Sequence, residues 1–139
     1  MSNTIDKQLL AARQQSRRLI LQALYQWQFT QDSSEELLLQ FQQDESWQKA
    51  DPDYFVELLN GILSNAKALS LSLSEHSDRP IDQIDPVEQA ALLLASYEIV
   101  HRPDIPKKVA ISEAIRLSKK FGAEDGHKFV NAMLDRFEP

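Results

Sequence analysis

The chain has 139 residues, a formal net charge of −6, no cysteine and only three glycines, and 42% of it is apolar. That length and mix fit one globular domain spanning 1–139, able to build its own core, and argue against disorder. The lack of cysteine excludes disulfides, thiolate nucleophiles and cysteine-held zinc. No apolar run reaches the roughly eighteen residues of a membrane span, and the N-terminal segment lacks the apolar centre of a secretory signal, so a cytoplasmic protein is expected.

In chain order, the hydrophobic period is helical almost throughout. Apolar or small residues at 5, 9, 12, 16, 19, 20, 23, 24 and 27 trace one stripe of a long first helix. Ser33, with Glu36 three residues later, predicts a capping box that opens a second helix through Leu37, Leu38 and Phe41. Asp51-Pro52 pairs a cap residue with a proline at the first helical position. The third helix then runs through Phe55, Leu58, Leu59, Ile62, Ala66 and Leu69, and its extension to Leu73 is open because SLSLSEHSD is a weak helix former. Asp85-Pro86-Val87-Glu88 repeats the start signal, and the VEQAALLLASYEIV that follows is apolar enough to sit at the centre of a core. Arg102–Pro106 breaks that helix. A fifth runs from about Pro106 to a C-terminal cap near Gly122, with Ala110, Ala114, Leu117 and Phe121 on its buried side. Glu124 or Asp125 caps a sixth through Phe129, Val130, Met133, Leu134 and Phe137. The expected fold is all-α, a bundle of six or seven helices.

Charge is unevenly placed along these elements. Residues 1–28 carry +3, residues 29–60 carry −7, residues 61–98 carry −4, residues 99–128 carry +3 and the last eleven −1. Two basic segments around an acidic middle can recruit phosphates locally, although the global field does not steer them. Solvated helix faces would give the same pattern.

Catalysis finds little support. Glu124 and His127 stand at i, i+3, but two ligands make a poor metal site, and capping explains the acids with less machinery. No nucleophile elbow, phosphate loop or dinucleotide glycine pattern occurs, so neither an enzyme nor a cofactor site is expected. The basic strip is more informative. Arg116, Lys119 and Lys120 share one polar face of the fifth helix, and Lys128 follows directly after the turn. Phe129 either belongs to the buried stripe, which spacing alone favours, or serves beside Lys128 as a stacking platform for an unpaired base. On the first helix, Arg13 and Arg17 stand at i, i+4 with Arg18 and Tyr25 nearly in line; a solvated face is the plainer reading, and Tyr25 and Trp27 suit a core or rim.

Several segments resemble the NusB family of bacterial transcription antitermination factors: Ala23-Leu24-Tyr25-Gln26-Trp27-Gln28, Tyr54 to Gly61, Ala95-Ser96-Tyr97-Glu98, Ile105 to Ala114, Phe121 to Asp125 and His127 to Asn131. The resemblance covers nearly the whole chain and implies two small packed helical subdomains. It implies a non-enzymatic factor that pairs with the ribosomal protein NusE and binds the single-stranded boxA element of ribosomal RNA transcripts, supporting read-through by RNA polymerase and rRNA maturation. Carried over by motif, Arg13 and Arg17 match the arginine-rich start of the first helix and Tyr25 the motif after it. Lys128 and Phe129 match the RNA-contacting helix start, Asp125 the turn beside them, and Glu88 a position near the NusE and RNA surface; Lys120 joins the RNA-binding candidates from the basic strip read by spacing. Some members resemble homodimers, which keeps a second copy among the candidate partners. NusB-like domains also occur in rRNA methyltransferases, an alternative disfavoured by a chain that ends at Pro139 without a cofactor-binding segment. The departure from the family is Gln14 and Gln15, which interrupt the usual arginine run; fewer phosphate contacts leave more of the binding to the partner.

Overall fold

The computed structural model describes residues 2–78 and 80–139, with side chains from residue 6 onward. Six α-helices account for most of it: α1 (Ser2–Thr30), α2 (Ser34–Phe41), α3 (Pro52–Ser74), α4 (Pro86–His101), α5 (Lys107–Phe121) and α6 (Gly126–Arg136). Two short 3₁₀ helices, Glu45–Lys49 and Ile81–Gln83, were not foreshadowed by the sequence pattern, and no strand occurs among the described residues. The all-α expectation holds. The helices form two compact units, residues 1–60 and 61–139, with the division inside α3.

In the N-terminal unit, α1 packs against α2 and the Glu45–Lys49 turn. Its predicted stripe is buried only from Ser16 onward, through Leu19, Ile20, Ala23 and Leu24, whereas Leu9 is 44% exposed. Ile5, the stripe's first position, lies outside the described side chains. The reason is visible at the start of the buried region. The Asp51 amide reaches Ala12 O (3.3 Å) and Ser16 Oγ (2.9 Å), and the Ser16 hydroxyl donates to Asp51 O (2.8 Å), so the segment returning to α1 covers it no earlier than Ala12. The start signals behave as expected. Ser33 Oγ accepts from the Glu36 amide (3.1 Å) while Glu36 accepts from the Ser33 amide (3.0 Å), and Asp51 Oδ1 accepts from the Tyr54 amide (3.1 Å). Each such cap contributes about 1 kcal/mol.

The C-terminal unit is built on α4, which packs against both α5 and α6. Asp85 caps α4 through the Val87 amide (3.0 Å), and every residue from Ala90 to Glu98 is buried, so the most apolar helix does form the centre. Leu69 and Leu73 of α3 are buried at 3% and 0%, and α3 accordingly continues to Ser74 despite its weak-forming serines. Burial of a large aliphatic side chain is worth about 1.5–3 kcal/mol, more than the propensity deficit of a few serines. Ala110, Ala114 and Leu117 line the inner face of α5, but Phe121 is only half-buried. Val130, Met133, Leu134 and Phe137 complete the core from α6.

Candidate nucleic-acid interface

The α5–α6 connection is where sequence and structure differ most usefully. Gly122 ends α5 as expected, its amide donating to Ser118 O (2.8 Å), but its backbone is extended (φ −92°, ψ 180°) and not left-handed. What requires glycine there is space, since a Cβ would lie 2.7 Å from Ser118 O. Asp125 precedes α6 at the cap position without capping it. Its backbone is left-handed (φ 67°), it makes no side-chain cap bond, and its carboxylate instead meets Lys128 Nζ at 3.2 Å. The expected capping carboxylate is therefore corrected to a left-handed turn residue, a conformation that Asp tolerates better than most residues.

This turn sets out the basic strip. Lys119 and Lys120 are exposed at the end of α5, with Lys120 Nζ 5.5 Å from the Phe121 ring centroid. The Lys128 side chain is 71% exposed and the Asp125 side chain 66%. A pair so open to water holds its lysine by at most about 1 kcal/mol, so exchange for a phosphate oxygen is cheap. Arg116, placed by spacing on the same face, is half-buried and bridged to the buried Glu113 at 2.9 Å, so its charge is already in use. Phe129 is half-buried and stands outside the group of fully buried α6 side chains. Glu88, matched by resemblance to a partner surface, is only 7% exposed. Its carboxylate faces the Gly122 and Gly126 backbone instead of solvent.

The N-terminal unit treats its basic residues differently. Arg13 and Arg17 both stack on Tyr54, their guanidinium carbons 4.8 and 5.5 Å from the ring centroid. Arg17 is 3% exposed and donates to the Tyr54 hydroxyl at 3.4 Å, so the accessible phosphate contact suggested for it is not available in this fold. Arg13 is half-buried and keeps part of its surface open. Tyr25 is 44% exposed, outside the core, and its ring lies 5.2 Å from that of Phe29, tilted by 57°; Phe29 is 64% exposed. Phe29 was missed by the sequence reading, although its i, i+4 spacing from Tyr25 and its place off the apolar stripe were both visible.

A polar pocket in the same unit is lined by Arg18, Asp44, Glu45, Ser46 and Lys49. Hydrogen bonds from the Ser46 side chain and amide, helped slightly by Arg18, hold the Asp44 carboxyl below its usual range. The pocket's two cations are thus matched by two acids, which makes it a poor phosphate site. Among the described residues no group of three or more His, Asp or Glu stands ready to hold a metal, and no helix is long and apolar enough to cross a membrane.

Comparison with known proteins fits this arrangement. A profile of the NusB family matches residues 14–139. The chain belongs to the NusB family. The transcription antitermination protein NusB of Idiomarina loihiensis is 46% identical over 126 residues, covering 91% of each chain, and that of Nitrosomonas europaea is 45% identical over 89% of this chain and 74% of its own. The crystal form of T. maritima NusB superposes with a TM-score of 0.79 at 31% identity, over 90% of this chain and 89% of the other. A NusB chain solved with NusE and double-stranded RNA shares the fold, with a TM-score of 0.77 at 20% identity over 89% of this chain and 93% of its own. The chain is thus an all-α member of a family of transcription antitermination factors, as its motifs implied. Arg13 falls one residue before the matched region.

Proposed function

We propose that this chain binds single-stranded boxA-type RNA together with the ribosomal protein NusE, as a non-catalytic, cytoplasmic component of an RNA polymerase antitermination complex, with residues 1–139 acting as one RNA-binding domain. The observation that carries the reading is the first turn of α6, where exposed Lys128 stands next to half-buried Phe129, with Asp125 before them and Lys120 at the end of α5. Lysines position a phosphate backbone, and an aromatic with an open face stacks a base that has no partner strand. A NusB chain of the same fold was solved with NusE and double-stranded RNA; the proposal of an unpaired target rests on an aromatic beside a lysine, a pairing that suits base stacking, because duplex bases do not present a free face. Asp125 accepts from a base edge once Lys128 turns to phosphate. In the N-terminal unit, Arg13 offers a cationic contact on α1 and Tyr25 an exposed aromatic, while buried Arg17 is a packing residue on Tyr54.

The global charge of −6 limits unaided binding, which assigns a basic partner surface a share of the affinity. Fluorescence anisotropy with labelled boxA RNA and a scrambled control, each with and without NusE at two salt concentrations, tests the reading. Selective binding that tightens with NusE and weakens with salt is expected. Equal weak binding to both RNAs, indifferent to NusE, would reduce the protein to a helical bundle with a basic strip.

A further inference from the structure

Glu88 sits in the first turn of α4 and is buried. Its carboxylate lies against the backbone on both sides of the α5–α6 connection. A Cβ at Gly126 would stand 2.6 Å from the Glu88 carboxyl carbon and Oε2 and 3.0 Å from Oε1, and a Cβ at Gly122 would stand 3.2 Å from Oε2. Neither glycine has a positive φ. Both positions would accept an alanine conformationally, so the space occupied by the carboxylate is what excludes a side chain at Gly126. Between the two glycines run Ala123, Glu124 and left-handed Asp125, tied locally by the Gly126 amide to Ala123 O (3.0 Å) and the Lys128 amide to Asp125 O (3.0 Å). A carboxylate against the first residue of α6 also lies at the helix end that favours negative charge.

We propose that Glu88 is the positioning residue of the RNA-contacting turn: its buried carboxylate, wedged against Gly122 and Gly126, sets the direction in which α6 starts and so where Lys128 and Phe129 meet RNA. The role rests on the RNA reading above. It differs from a partner contact, because Glu88 acts through the backbone of the turn and touches no ligand. It also differs from generic burial, because the wedge couples one side chain on α4 to one missing side chain on α6.

The test is a cycle of Glu88→Ala, Gly126→Ala and the double variant, read by boxA anisotropy and by the amide resonances of Lys128 and Phe129, at a temperature where each variant is folded. Either single change should displace both amides and weaken RNA binding by roughly tenfold, the scale of coupling between residues in contact. In the double variant the new methyl enters the space the carboxylate left, and affinity should return to within about threefold of wild type instead of falling by the product of the two losses. Additive losses, or amides unmoved in both singles, would overturn the proposal. Should Gly126→Ala fail to fold, Glu88→Asp keeps the charge but withdraws it by one methylene; it must shift the same two amides, and unshifted amides count against the wedge. If the wild-type protein binds no RNA, the reading of function falls, and the amide shifts alone decide whether Glu88 sets the turn.

Discussion

Arg13 and Arg17 on α1, and Lys120 and Lys128 around the α5–α6 turn, belong to two segments of equal net charge, +3 each. In the N-terminal unit the guanidinium groups lie over the Tyr54 ring, and Arg17 is 3% exposed. In the C-terminal unit the ammonium groups stay in water, and the Lys128 side chain is 71% exposed. The planar guanidinium is weakly hydrated and stacks on aromatic faces, so a nearby tyrosine draws it into the fold; a compact ammonium loses too much hydration to follow. Equal charge therefore produced a packing device in one unit and an accessible strip in the other.

The largest expected effect breaks the comparison on the N-terminal side. Arg17→Ala removes a buried cation–π contact and the hydrogen bond to Tyr54, and should cost about 2–3 kcal/mol of stability. Thermal unfolding should show a clear drop in Tm, while the folded fraction keeps its boxA affinity in anisotropy. A variant of unchanged stability with weakened RNA binding would return Arg17 to the list of contacts. Next in size is Phe129→Ala. A stacked base is worth about 1–3 kcal/mol, so boxA affinity should fall by at least about fivefold with little change in helicity by circular dichroism. Loss of the fold instead would place Phe129 in the core and end its stacking role.

What could be read in the sequence was what local chemistry decides. Ser33, Asp51 and Asp85 were legible as caps because a short oxygen-bearing side chain finds its own backbone two or three residues on, whatever surrounds it. The centre of the core was legible because α4 carries an unbroken apolar run from Ala90 to Ala95. Arg17 was not, since its burial depends on Tyr54, 37 residues away. Gly122 was read only as a C-terminal cap, and Gly126 was not read at all: the close Ser118 carbonyl is what Gly122 makes room for, and the carboxylate arriving from α4 is what Gly126 makes room for. Asp125 looked like a cap by residue type, yet the tight four-residue connection between α5 and α6 gives it a left-handed backbone and turns its carboxylate to Lys128. The motifs carried the family; which surface is open came from contacts between helices.

The smallest expected effect sharpens the comparison on the C-terminal side, and its value lies in the salt dependence. Lys128→Ala loses only an open surface pair with Asp125, worth about 0–1 kcal/mol, so its Tm should stay close to wild type. If Lys128 neutralises one phosphate, its removal lowers affinity uniformly across RNA sequences and reduces the slope of log affinity against log salt by about 0.7, the single-strand value per contact. Measured beside Arg17→Ala, the two variants should move opposite observables: one the unfolding temperature with the salt slope intact, the other the salt slope with the unfolding temperature intact. A Lys128→Ala slope equal to wild type would mean that the exposed lysine meets no phosphate, and the basic strip would then have to be sought in Lys119 and Lys120 on α5.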